Sequence, residues 1–189
     1  MPTDGHNTAL VVIDVQRGIL NVPHLQRKQE TGKALDETVA RIADLIARAR
    51  AASIPVIYVQ HDGGKGHRLE PNTAGWHLRP EIAPRSGEPV IHKRACDAFF
   101  ETSLGPELSA RGIRRLIIAG CMTQYCIDTT VRRSVSLGFD VVLVGDGHMT
   151  ADAGSLRFEQ IIAHHNELLD GFDAGEHEVR VVPTSEITF

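Results

Sequence analysis

Too little cysteine is present for a disulfide framework. Its 189 residues include only three cysteines, Cys96, Cys121 and Cys126, with no CxxC pair among them. That usage points to a reducing compartment and leaves each thiol free for chemistry. A basic surplus is also missing, since 20 Lys and Arg stand against 24 Asp and Glu, for a formal net charge of -4. No positive stripe is available to meet a phosphate backbone, so nucleic acid is excluded as a partner. Long apolar runs are lacking too: the candidates are strand-sized pieces such as Leu10 to Ile13, far short of the ~20 residues a membrane span requires. No membrane partner follows. The first seven residues are short and polar, without the basic and apolar regions of an export signal, so a cytoplasmic protein is expected. What the chain does have is 42% hydrophobic residues, enough to bury the core of one compact domain over residues 1–189. A small molecule is the expected partner.

Short apolar runs alternate with helical periodicity along the chain. Ala9 to Ile13 reads as a buried strand that ends at Asp14. Leu35, Val39, Ile42, Leu45, Ile46 and Ala49 carry one helical face toward a stop at Ser53-Ile54-Pro55. Pro55 to Gln60 is a second strand, and His61 to Glu88, rich in Gly, Pro and His, is a long surface loop of the kind that builds sites. A third strand, Pro89 to His92, runs into Lys93, with a short helix near Pro106 to Arg111 after it. Arg115 to Ala119 is the fourth strand, leading through Gly120-Cys121 to a helix from about Gln124 to Leu137. Val141 to Val144 is a fifth strand, a last helix spans Ala151 to Leu169, and Glu178 to Val182 is a sixth strand. This order predicts an α/β fold: a three-layer, doubly wound, mostly parallel six-stranded sheet with helices on both faces.

Ligands bind such sheets at the carboxyl ends of the strands. Asp14, Lys93 and the turn leading to Cys126 each follow directly on a strand, so the fold can bring them together. A thiol near a helix start with an ammonium beside it has a lowered pKa. Asp14 can accept its proton, and backbone N–H groups at the turn can hold an oxyanion. These parts suit acyl transfer through a thioester. Taken one at a time, each residue has an ordinary structural reading, because a cysteine on a strand–helix unit is usually a small buried hydrophobe.

The motifs together say more. Val11 to Gln16, then His92-Lys93 followed by Ala98 to Leu104, then Ile118-Ala119-Gly120 through Thr123 to Cys126-Ile127, with Gly138 to Val141 and Gly145-Asp146 behind them, resemble the isochorismatase-like cysteine hydrolases. The resemblance covers essentially the whole chain in the right order. It implies that Asp14 is the general acid and base, that Lys93 orients and polarises, and that Cys126 attacks a carbonyl carbon. It also implies a cis peptide at Cys121–Met122, an oxyanion hole from the amides of Met122 and Cys126, and a homodimer or homotetramer.

In metal-binding members of the family an Asp-x-His pair follows the second strand. Here the order is Gln60-His61-Asp62-Gly63, so no metal and no other cofactor is expected. The candidates for contact with substrate are Gln16, Ile19, His61, Trp76, Phe99, Thr123 and Tyr125. Trp76, the single tryptophan, either covers a substrate or packs a subunit contact. Ile19, Phe99 and Tyr125 are pocket walls or core. Cys96 and Cys121 are expected to be bystanders. The function that fits is hydrolysis of a C–N bond in a small non-peptide amide, carbamoyl or cyclic amide compound. Enol-ether hydrolysis needs the aspartate but not the cysteine, and a non-catalytic binding protein needs none of the three.

Overall fold

The computed structural model describes residues 7–22 and 25–189. The segment 1–6, which carries most of the expectation of no export signal, lies outside them. Among the described residues seven strands form one sheet in the order β3-β2-β1-β4-β5-β7-β6. They are β1 (Thr8–Ile13), β2 (Val56–His61), β3 (Val90–Lys93), β4 (Arg115–Cys121), β5 (Asp140–Met149), β6 (Asp173–Ala174) and β7 (His177–Val182). Six of them run parallel, as the alternation predicts. The seventh corrects the count of six: β6 is a two-residue strand paired antiparallel with β7, Asp173 opposite Glu178 and Ala174 opposite His177. A strand of two residues carries no period-2 signal.

The period of two along β1 divides the core. Leu10 and Val12 enter one apolar cluster with Leu35, Val39, Ile42 and Ile46 of helix α1 (Lys28–Ala51). Ala9, Val11 and Ile13 enter the other, with Leu104 and Leu108 of α2 (Leu104–Ala110) and Val131 and Val135 of α3 (Asp128–Ser136). Strands buried on both faces must be apolar throughout, and all six residues of β1 are buried. Helix α4 (Phe158–Leu169) serves both clusters, Phe158 the first and Leu169 the second. Among the described residues no helix is long and apolar enough to cross a membrane.

Several boundaries depart from the sequence reading. Helix α1 begins at Lys28, seven residues before the first large apolar residue of the periodic face, because its opening turns are polar. Strand β5 runs on through Gly145-Asp146-Gly147 to Met149, past the Val144 end expected for it. After an irregularity between Ile118 and Gly120, it pairs Gly120 with His148 and Cys121 with Met149. Helix α4 starts at Phe158 rather than Ala151, since Ala153 and Leu156 close a turn around Gly154-Ser155 and Asp152 Oδ1 accepts the Phe158 amide at 2.8 Å.

The sheet order reverses between β1 and β4, where the chain continues toward β2 on one side and β5 on the other. Open α/β sheets place their crevice there, outside the carboxyl ends. Gly120 makes the approach possible. Its φ is +133°, and a Cβ on it would lie 2.0 Å from the Ile13 carbonyl oxygen, a distance no side chain tolerates.

Candidate active site

Asp14 leaves β1 with a left-handed backbone, φ 52°, an unusual conformation for a residue with a side chain. Lys93 is the last residue of β3, two strands away, and its side chain crosses the end of β2. Its Nζ lies 2.6 Å from Asp14 Oδ2 and donates hydrogen bonds to Cys126 Sγ at 3.2 Å and to the Ala95 carbonyl at 2.9 Å. Asp14 is fully buried, Lys93 is 2% exposed and Cys126 is 9% exposed. The carboxylate oxygens of Asp14 accept no well-aligned hydrogen bond among the described residues, so its contact with Lys93 is a close ion pair. Breaking such a pair from one side costs about 3–5 kcal/mol, because the remaining charge stays buried.

Burial lifts the Asp14 carboxyl well above the usual carboxylate range, the Cys126 sulfur adds to that, and Lys93 opposes it. Burial pulls Lys93 down, but Asp14 and Cys126 more than offset it, so the ammonium is held protonated. The cysteine differs from expectation. The neighbouring Cys96 and burial push the Cys126 thiol up, against the pull of Lys93 and Asp14. Cys126 in turn lowers the Cys96 thiol to about 6. Its carbonyl accepts from Thr130 Oγ1 at 3.3 Å, which ties the Cys96 loop to the helix following the cysteine turn. The direction of the Cys126 shift favours its thiol form, with the Asp14 carboxyl beside it. Cys121 is fully buried and burial pushes its thiol up, which fits an inert role.

The chain around Cys126 is not the plain helix start that was expected. Thr123–Ile127 form one wide π-type turn before α3 begins at Asp128, and the Met122 carbonyl accepts from the amides of Tyr125 and Ile127 at 3.1 and 3.3 Å. The Cys121–Met122 peptide is cis. Thr123, fully buried, is fixed by a chain the sequence did not announce. Asn166 Nδ2 donates to the Gly145 carbonyl at 2.9 Å, so Asn166 Oδ1 is left to accept from His148 Nε2 at 2.8 Å. His148 Nδ1 then carries the lone pair, and the Thr123 hydroxyl donates to it at 2.9 Å. Burial lowers His148 to about 4, keeping it neutral.

The other candidates divide by environment. Gln16 is fully buried with its amide engaged: Nε2 donates to the carbonyls of His61 at 3.0 Å and Trp76 at 2.8 Å, and Oε1 accepts the His61 amide at 3.0 Å. Gln60 adds a second donor to Trp76 O at 2.8 Å. Trp76 itself donates from Nε1 to Asp62 Oδ1 and stacks on His92 at 5.6 Å. Asp62 Oδ1 also meets His92 Nδ1 at 3.0 Å. Among the described residues no group of three or more His, Cys, Asp or Glu is arranged to hold a metal. His61 closes β2 with its buried Nδ1 unpartnered, and burial, Lys93 and His67 lower it to about 4. Ile19 belongs to the first core cluster, Phe99 packs against the second and stacks on Phe139, and Tyr125 is half exposed. A hollow of about 640 Å³ between Thr8, Arg115, Asp140 and Phe189 lies at the amino ends of the strands. It has none of the buried reactive groups that mark the carboxyl end.

Comparison with known proteins agrees with this geometry. The isochorismatase domain model matches residues 8–181. A streptothricin hydrolase of Streptomyces noursei is 37% identical over 76% of this chain and 50% of its own length, so the chain spans about half of that relative. A ureidoacrylate amidohydrolase of Variovorax paradoxus (strain S110) is 26% identical over 88% of the chain and 77% of its own. Among solved structures, an isochorismatase from Pseudomonas putida KT2440 superposes with a TM-score of 0.85 at 30% identity, covering 100% of this chain and 93% of that one.

Proposed function

This chain belongs to the isochorismatase domain family of hydrolases, and on that footing we propose that it cleaves a C–N bond of a small non-peptide amide, carbamoyl or cyclic amide compound through a Cys126 thioester. The observation that carries the reading is the buried contact of one ammonium, Lys93 Nζ, with both Asp14 Oδ2 and Cys126 Sγ.

The resting protonation states set the order of events. Cys126 is a thiol and Asp14 a carboxylate whose pKa is raised, which makes it a stronger base than a surface aspartate. As the sulfur attacks the carbonyl carbon, its proton passes to Asp14. The developing oxyanion is received by the amides of Met122 and Cys126, and Lys93 stabilises negative charge on whichever neighbour bears it. The tetrahedral adduct collapses to a thioester while Asp14 returns the proton to the departing nitrogen. Water then attacks the thioester with Asp14 again as base, and the acid leaves as the thiol is restored. Hydrolysis of an enol ether would leave the Lys93–Cys126 contact without use.

Release of ammonia or amine from a panel of small amides tests the reading. Cys126→Ala is expected to lower turnover by about 10³-fold or more. Equal rates for the variant and the native chain would remove Cys126 from the mechanism.

A further inference from the structure

The reaction as derived makes no use of Cys96, yet its segment is fastened to the one that carries the nucleophile. Before it, Lys93 Nζ donates to the Ala95 carbonyl at 2.9 Å and to Cys126 Sγ at 3.2 Å. At it and after it, Thr130 of α3 takes hold: Thr130 Oγ1 donates to the Cys96 carbonyl at 3.3 Å and accepts the Ala98 amide at 3.1 Å. Further along the same helix, Arg133 Nε lies 3.7 Å from Asp97 Oδ2. The backbone is thus fixed on both sides of Cys96, and Cys126 is the neighbour of its thiol.

The two thiols are unlike. Cys96 is exposed, whereas Cys126 is only 9% exposed. Cys126, aided by Lys93, holds the Cys96 thiol at about 6 against partial burial, so at neutral pH it stands mainly as thiolate. Cys96 and burial push Cys126 the other way, which keeps its proton on. An accessible thiolate beside a second thiol is the arrangement that a peroxide oxidises and a neighbouring sulfur resolves. Cys121 is fully buried with its thiol pushed up, and takes no part.

We propose that Cys96 and Cys126 are a redox pair: hydrogen peroxide oxidises Cys96, and Cys126 then closes a reversible disulfide with it. In the first step the Cys96 sulfur attacks one peroxide oxygen and the O–O bond breaks. The other oxygen leaves as hydroxide and takes up a proton to become water, while the sulfur is left as a sulfenic acid. In the second step Cys126 Sγ attacks that sulfur. The S–O bond breaks as the S–S bond forms, and the oxygen departs with the Cys126 proton as a second water. A dithiol reverses the bond by exchange, its own sulfurs ending as a disulfide. The link itself needs no substrate. Its consequence, a nucleophile withdrawn from turnover, rests on the amide-hydrolase reading.

The test exposes the native chain to a slight excess of hydrogen peroxide at neutral pH, quenches with iodoacetamide and analyses the unreduced peptides by mass. The expected product joins the Cys96 and Cys126 peptides within one chain, and dithiothreitol restores both thiols. Amide turnover should fall about tenfold or more as the link forms, and return with dithiothreitol. In Cys126→Ser, oxidation should stop at Cys96, where dimedone present during the exposure traps the sulfenic acid. In Cys96→Ser no link forms, and the turnover that variant starts with should outlast the same exposure. A native chain in which dimedone marks Cys96 but no link to Cys126 appears would overturn the pair. So would links formed only between chains, a Cys96 that peroxide leaves free for alkylation, or turnover lost as fast in Cys96→Ser as in the native chain. A failed hydrolase reading looks different: the link still forms and dissolves, with no turnover to lose.

Discussion

At the residue scale, the site is a set of charges whose positions matter more than their number. Asp14 and Lys93 are expensive to bury and are tolerable only together. His148 shows the same economy in a neutral form. Asn166 fixes its tautomer, the tautomer fixes the Thr123 hydroxyl, and Thr123 opens the turn that carries Cys126. An unfolded imidazole takes up a proton below its ordinary pKa near 6.5, whereas folded His148 resists until about 4. Acid therefore favours the unfolded chain between those two values, by about 3 kcal/mol at the lower end. Urea midpoints measured from pH 7 to pH 4 should fall steeply in the native chain. In His148→Gln they should start lower and fall less, by roughly one proton's worth of slope. An unchanged slope would mean that another group carries the acid sensitivity.

At the element scale, strand ends and the turns after them do the positioning. The β1–β4 approach depends on Gly120, where β4 comes so close to Ile13 that no Cβ fits. The contact is with backbone, which cannot rotate away. Gly120→Ala is expected to cost about 3 kcal/mol or more in stability and to move the Cys121–Cys126 segment relative to Asp14. Thermal unfolding alongside turnover checks both, and a variant as stable and active as the native chain would contradict the tight register. The strands were legible in the sequence because burial on both faces leaves continuous apolar runs. The first turns of α1 were not, since polar residues before an apolar stripe carry no period. Strand β5 was cut short at Val144 for a related reason: the apolar run stops there, but pairing with β4 carries the strand on to Met149.

At the scale of the whole molecule, the order of elements was readable and so was the set Asp14, Lys93 and Cys126, since Asp14 follows β1, Lys93 closes β3 and Cys126 lies in the turn after β4. What the sequence concealed were contacts made across the fold. Cys96 is three residues from Lys93, close enough to have raised suspicion, yet only packing brings its thiol to Cys126. Arg68 and Ile19 are separated by 49 residues and Thr123 and His148 by 25, and no periodicity links either pair. The lowered Cys126 pKa expected from a helix start and Lys93 left out Cys96 and burial, which push it up. The proposed reaction pairs a thiol with a buried base, and on that mechanism the proton passes to Asp14 at the moment of attack. The direct test is rapid quenching during turnover of a slowly cleaved amide, followed by mass analysis of the peptide that contains Cys126. The account predicts an added mass equal to the acyl part of the substrate on Cys126, absent from Cys126→Ala and removed by hydroxylamine. Steady turnover with Cys126 always unmodified, at a rate that Cys126→Ala matches, would contradict it.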